Sequence, residues 1–222
     1  VVTDLYAEQR ANLLRNLDGL RVEKDAKRCV GTLFFDRAPM NIIKFSNRAQ
    51  ISALIEAMDN DPDIRVIVIR GANGVYSSGG DIAGFLKEPR DGMANMADHM
   101  SAPERARKPV IAAIEKFAFG VSFELSLACD FRIATENTQL GLPEITLGTM
   151  PGSGGTHRLA QFVGLGRAKN IIMRGKRISA REAYDWGLLA ELIPDGGLDD
   201  AIEALTADLV SRPQIPLTSI KR

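Results

Sequence analysis

The spacing of apolar and polar positions divides the chain into short strands and amphipathic helices in alternation. Arg21–Lys24 and Cys29–Phe35 alternate as strands and predict a hairpin turning at Asp25-Ala26-Lys27. From Phe45 to Asp59 the apolar Ile51, Leu54, Ile55 and Met58 recur three and four apart, which predicts a helix that Asp61-Pro62-Asp63 ends. Arg65–Arg70 is an almost unbroken run of β-branched residues and reads as a buried strand. A second such strand begins at Val110 and runs through Glu115 to Phe119-Gly120, leading into a helix over Val121–Cys129. Phe131–Ala134 reads as a further strand, and His157–Val163 and Gly166–Met173 as helices. Ser179 with Glu182 has capping-box spacing, and Asp199–Val210 closes the pattern with Ile202, Leu205 and Leu209 on one face. The stretch Phe85–Met100 is the least regular. With Pro89, Gly92, Met93, Met96 and Met100 it is either a mobile loop and short helix over a ligand site or an ordinary surface loop.

Alternating strands and helices make this an α/β chain. Its 222 residues are enough for one large core. Lys and Arg total 28, Asp and Glu 28, and the pI is near 6.9, so no basic excess recommends nucleic acid or a membrane surface as a partner. Cys29 opens an apolar strand pattern and Cys129 sits in an apolar helix pattern. Without a CxxC pair they read as reduced core thiols, which points to the cytoplasm. No apolar run is long enough to span a bilayer, and no signal-peptide pattern shows in a chain that starts at Val1 rather than Met.

Two glutamates change the picture from fold to chemistry. Glu124 has Gly120, Val121, Leu127 and Ala128 as its helical-face neighbours, so its carboxylate points into apolar surroundings. Desolvation there raises a carboxyl pKa toward the range useful for proton transfer; a buried Glu held by Arg or by backbone donors is the plainer reading. Glu144 follows Pro143 and precedes the turn-rich run Pro151-Gly152-Ser153-Gly154-Gly155-Thr156; its plainer reading is an acid in a helix's first turn. The strand Arg65–Arg70 empties into Gly71-Ala72-Asn73-Gly74 and Tyr76-Ser77-Ser78-Gly79-Gly80-Asp81-Ile82, and the second strand ends where the Glu124 helix begins. Backbone N–H groups at two such junctions can stabilise a developing oxyanion.

These stretches resemble the crotonase superfamily, in its enoyl-CoA hydratase/isomerase branch. The matches are Ser78-Gly79-Gly80-Asp81-Ile82, Lys108-Pro109-Val110-Ile111-Ala112-Ala113, Glu124 to Asp130, Pro143-Glu144-Ile145, Gly148 to Thr156, and Gly175 to Ala183 with Gly187-Leu188. Their order and spacing extend from about Gly31 to Pro213. The resemblance implies a spiral of β-β-α units over residues 1–190, with residues 191–222 beginning a C-terminal helical region used in trimer contacts and stopping short of its full extent. It implies a homotrimer or a dimer of trimers. The substrate would be an acyl-CoA thioester, with coenzyme A part of the substrate and no separate cofactor or metal. The Gly80 and Val121 N–H groups would form the oxyanion hole. Glu124 would orient and deprotonate water, and Glu144 would exchange the proton at the α-carbon. Isomerases of the family commonly keep only the second acid, so two acids favour hydration. A Δ3,Δ2-enoyl-CoA isomerase and a non-catalytic crotonase-fold binding protein are the alternatives. Substrate contacts fall by position on Ala38, Met40, Ser78, Gly80, Asp81, Ile82, Ala83 and Val121, in the loop Arg37–Asn41 and the loop around Gly80. The family usually carries a glycine run where this chain has Gly120-Val121-Ser122. Valine does not readily take positive φ, so Val121 is expected at negative φ. The departure bears on acyl-chain preference rather than on reaction class.

Other motifs are missing. No serine has the Gly-x-Ser-x-Gly setting, His99 and His157 lack metal-ligand spacing, and Gly152, Gly154 and Gly155 form neither a dinucleotide fingerprint nor a P-loop. Asp81 reads as an orienting residue for the Gly80 loop, and Asn41 as one that fixes the Arg37–Asn41 loop. Leu188, Leu189 and Leu192 are expected to be an exposed patch that a partner covers.

Overall fold

The computed structural model describes residues 11–85, 87 and 95–221. Its strands form two sheets. The larger has the order β1 (Leu20–Asp25), β2 (Val30–Phe35), β3 (Val66–Gly71), β4 (Val110–Ile114), β6 (Phe131–Thr135), β9 (Glu191–Ile193). Only the β1–β2 pair is antiparallel. The smaller sheet has the order β5 (Phe117–Phe119), β7 (Gln139–Gly141), β8 (Arg177–Ser179).

Successive turns of the chain pass from one sheet to the other. After β3 the chain bridges Ser77 to Ala118 of β5, and Ile43 bridges Gly80 in the same sense. Each turn then ends in a helix: α1 (Phe45–Asn60), α2 (Ile82–Phe85), and, after β5, α5 (Val121–Leu127). Short α3 (Met96–Met100) and α4 (Ala102–Arg105) precede β4. Further on come a 3₁₀ turn (Glu144–Leu147), α6 (Gly155–Arg174), α7 (Ala180–Asp185), α8 (Leu198–Ser211) and α9 (Gln214–Lys221). This mixed architecture is the expected β-β-α spiral.

The central parallel strands β3 and β4 are largely apolar because both faces of the large sheet are covered there. Leu33, Phe35, Ile67, Ile69, Ala112 and Ile114 face the core shared with α1, α5 and the second sheet. Their alternating neighbours Val66, Val68, Ile111 and Ala113 face the other way, where Leu198 and Leu209 of α8 cover them. The C-terminal segment therefore begins as an edge strand of the large sheet and continues as the helix that seals its outer face.

Three expectations need correction. Cys29 does not open a strand: it has a φ of 56° in the turn, where Asp25 accepts hydrogen bonds from the N–H groups of Lys27 and Arg28, and β2 starts one residue later. The strand from Val110 does not run on to Phe119. Lys116, with a φ of 59°, breaks it and sends β5 into the second sheet. The leucine patch is not exposed, since Leu188 and Leu189 are buried in the core of this chain and Leu192 packs against it. The two helices expected over His157–Val163 and Gly166–Met173 are present as the two halves of α6, separated by the non-helical Gly164 (φ 79°, ψ 159°). Ser179 and Glu182 form the expected capping box. Of the Phe85–Met100 stretch, residues 86 and 88–94 lie outside the described residues, and α3 occupies its end.

Candidate active site

Two strand-to-helix junctions meet at the centre of the spiral. At the first, Ser77 Oγ accepts from the N–H of Gly79 (3.1 Å), the N–H of Ser78 donates to Met40 O (2.9 Å), and the N–H of Asp81 donates to Ile43 O (3.1 Å). Gly79 has a φ of 107°, and a Cβ there would stand 2.6 Å from Phe119 O, so only glycine lets the two junctions approach. At the second, Gly120 (φ 53°, ψ −130°) turns the chain into α5. Ser122 Oγ donates to Ser77 O (3.0 Å) and Phe119 O (2.9 Å), clamping the junctions together.

Between these bonds the N–H groups of Gly80 and Val121 donate to no backbone carbonyl of a described residue. Val121 is the first residue of α5, where an N–H has no helical partner, and its φ is not positive, as expected. A Cβ on Gly80 would lie 3.6 Å from Val121 Cγ1, so the two residues are neighbours. Asp81 accepts from the N–H of Gly84 (3.0 Å) and fixes the start of α2. Asn41 takes a φ of 51°, accepts from the N–H of Arg37 (2.9 Å) and donates to Ala72 O (3.1 Å) and Val75 O (2.5 Å), fixing the loop that carries Ala38 and Met40. Ala38, Ile82 and Ala83 are exposed, whereas Met40, Ser78 and Gly80 are half-buried, so the loops around Met40 and Gly80 present an accessible surface.

Both glutamates come to this place, in different surroundings. Glu124 is 2 % exposed, and its Oε1 accepts from the N–H groups of Ser153 (2.7 Å) and Gly155 (2.9 Å). A Cβ on Gly155 would stand 2.8 Å from Glu124 Cγ, so this hold on the carboxylate requires glycine. Burial raises the Glu124 carboxyl above its usual range, and the two N–H donors and Arg48 oppose the shift. Glu144 opens the 3₁₀ turn, and its Oε1 lies 3.0 Å from the position of a Cβ on Gly120. Its Oε2 is buried without a hydrogen-bond partner among the described residues. Burial first, and the Glu124 charge in addition, raise Glu144 to about 7. A carboxyl poised near neutrality can give or take a proton at physiological pH.

Sequence reasoning missed Arg48 and Ser153. Arg48 continues the buried stripe of Ile51, Ile55 and Met58 at spacings of three and four, which was the available signal. Its guanidinium lies 4.5 Å from the Phe45 ring centroid, and Nη1 donates to Ser153 Oγ (3.1 Å). Ser153 thus meets Arg48 through its hydroxyl and Glu124 through its N–H, while its carbonyl accepts from Arg158 Nη1 (2.9 Å). On the side of α3, Met96 Cε comes within 3.4 Å of a Cβ position on Gly152. Among the described residues, no three His, Cys, Asp or Glu side chains form a group able to hold a metal ion, and no helix is long and apolar enough to cross a membrane.

Known proteins share this arrangement of strands and helices. A family model described as enoyl-CoA hydratase/isomerase matches residues 25–222. A probable enoyl-CoA hydratase of Rhizobium meliloti (strain 1021) is 34% identical over 186 residues, covering 79% of this chain and 70% of that protein. The glyoxysomal fatty acid beta-oxidation multifunctional protein MFP-a of Brassica napus is 35% identical over 189 residues, covering 82% of this chain and 26% of that protein. The chain thus spans about a quarter of the length of the multifunctional relatives it matches. Among solved structures, the enoyl-CoA hydratase of Bacillus anthracis superposes with a TM-score of 0.85 at 31% identity, covering 92% of this chain and 81% of that one. Pseudomonas aeruginosa DspI superposes with a TM-score of 0.86 at 30% identity, covering 94% and 86%. By sequence and by structure the chain belongs to the enoyl-CoA hydratase/isomerase family.

Proposed function

We propose that the chain is an enoyl-CoA hydratase, adding water across the 2,3 double bond of an acyl-CoA thioester. The observation that carries this reading is the convergence of two glutamates, Glu124 buried and Glu144 half-buried, on the paired junctions at Gly80 and Val121. The thioester oxygen accepts from the Gly80 and Val121 N–H groups. Water oxygen bonds to C3, the C2=C3 electron pair moves toward the carbonyl, and the charge collects on that oxygen. Each such donor contributes about 10²–10³-fold in rate. Glu124 takes the proton from water, and Glu144 gives its proton to C2, leaving a 3-hydroxyacyl thioester. No separate cofactor enters, because coenzyme A arrives as part of the substrate.

The surface formed by Ala38, Met40, Ser78, Asp81, Ile82 and Ala83 receives the pantetheine and acyl portions. Arg37 serves the loop rather than a phosphate: its guanidinium is taken up by Ile42 O (2.6 Å), Asn47 Oδ1 (3.1 Å) and Asp18 O (2.5 Å). The buried free thiol of Cys129 suits a reducing compartment such as the cytoplasm.

We further propose a homotrimer, alone or as stacked pairs. With the leucine patch buried, its physical support is the exposed Ile145, Leu147 and Met150 of the 3₁₀ turn and its exit, with Leu165 and Met173 of α6. Light scattering at micromolar concentration is expected to give a trimer or hexamer mass, and a monomer mass contradicts it.

Absorbance assays over straight, branched and aromatic 2-enoyl-CoA substrates test the reaction. Wild-type protein is expected to hydrate at least one of them, with Glu124→Gln and Glu144→Gln each lowering kcat by about 10²–10⁴-fold. Near wild-type hydration by both variants contradicts the assignment. Isomerisation of 3-enoyl thioesters without hydration, retained in Glu124→Gln, would favour the isomerase. Binding without any turnover would favour the scaffold.

The raised Glu144 carboxyl also has a consequence for stability. Between its ordinary value of 4.5 and about 7, the native state holds a proton that the unfolded state has lost. Its contribution to stability is therefore present at low pH and lost as pH rises through that window. In denaturant titrations, Glu144→Gln is expected to gain on wild type from pH 4.5 to about 7, with a constant difference between the two above it. Parallel pH curves for the two proteins contradict this.

A further inference from the structure

A buried cation stands beside the acid pair, and the reaction above does not use it. Arg48 is 8 % exposed, and its Nη2 lies 3.9 Å from the position of a Cβ on Gly80. No carboxylate among the described residues reaches ion-pair distance of its guanidinium. Its Nε is buried with no hydrogen-bond partner among them. Arginine does not shed its proton in proteins, and an uncompensated buried charge is strongly unfavourable. The compensating charge therefore has to come from the groups around it.

Those groups are few. Burial disfavours the charged form of Arg48 first, and negative charge on Glu124 of α5 and on Glu144 of the 3₁₀ turn opposes this. His99 of α3 is disfavoured as a cation by burial first; Asp98 opposes this, and Arg105 and then Arg48 add to it. Arg158 of α6 meets the far side of Ser153, but Glu104 pairs with it at 2.6 Å. With Arg48 charged and Arg158 paired, two ionised glutamates leave the site one negative charge in excess, and two protonated ones leave it one positive charge in excess. A single proton on the pair makes it neutral.

We propose that Arg48 is a positioning residue that holds the two glutamates at one shared proton, while its bond to Ser153 keeps in place the N–H that grips Glu124. The catalytic consequence rests on the hydratase reading, because hydration needs this state: one carboxylate to accept the proton of water and one carboxylic acid to supply C2. Each addition moves one proton from Glu144 to C2 and one from water to Glu124, so the pair starts and finishes with one.

The test follows the glutamate carboxyls by ¹³C NMR in the ligand-free full chain, together with the pH profile of crotonyl-CoA hydration. Wild type is expected to lose its two carboxyl protons in separate steps, holding one proton on the pair up to the Glu144 midpoint at about 7. In Arg48→Met, with the cation gone, the anionic forms are less favoured. The carboxyl midpoints and the acid limb of kcat/KM are expected to move up together, by about one pH unit or more at an effective dielectric near 20. Arg48→Lys keeps the charge and is expected to titrate close to wild type. Arg48→Gln, which keeps a donor for Ser153, is expected to shift as Arg48→Met does and serves if the latter does not fold. Two wild-type glutamates ionising together in one step overturn the proposal. So does a loss of kcat in Arg48→Met or Arg48→Gln with unmoved titrations, which marks a purely structural arginine. If the NMR shifts appear and no enoyl-CoA is hydrated, the reaction assignment fails while the role of Arg48 stands.

Discussion

A carboxylate inside the core at Glu124 dictates the arrangement of everything around it. Burying it without donors is costly, and the chain supplies two N–H groups, from Ser153 and Gly155. That choice forbids a side chain at residue 155, where a Cβ would stand 2.8 Å from Glu124 Cγ. It also makes Ser153 a hub whose hydroxyl and carbonyl are held by Arg48 and Arg158 from opposite sides. The loop between the 3₁₀ turn and α6 is thereby pinned to α1 and α5, and Glu144 is brought against Gly120 at the same centre.

The second constraint is close approach of backbone. Gly79 lies against Phe119 O, and Ser122 bonds both junctions, so the free N–H groups of Gly80 and Val121 are set by contacts that side chains would block. Valine at 121 is compatible because the positive φ falls on Gly120 instead. Among the described residues, these two amides and Glu144 Oε2 are polar groups without a hydrogen-bond partner at this centre.

Much of this was legible in the sequence. The 3.6-residue stripe of α1, the β-branched run of β3, and the capping box of Ser179 and Glu182 are local signals, and they appear as read. Strands β7 and β9 are three residues long and carry no period, so their pairing decides them rather than their composition. Nothing in a strand pattern announces that Cys29 and Lys116 will take positive φ. Leu188 and Leu189 looked exposed because the fold that buries them lies far along the chain. In the site, Glu124, Glu144, Gly80 and Val121 stood in recognisable surroundings. Arg48 and Ser153 did not, since they lie 105 residues apart and meet only when the spiral closes.

The central claim is that the Gly80 and Val121 amides hold one thioester oxygen between the two glutamates. A crystal structure of the protein with a saturated acyl-CoA thioester tests it most directly. The account predicts the thioester oxygen about 2.7–3.1 Å from both nitrogens, with C2 and C3 facing Glu144 and Glu124. A thioester bound with its oxygen turned away from either amide, or with the acyl chain outside the space between the two carboxyls, would contradict it.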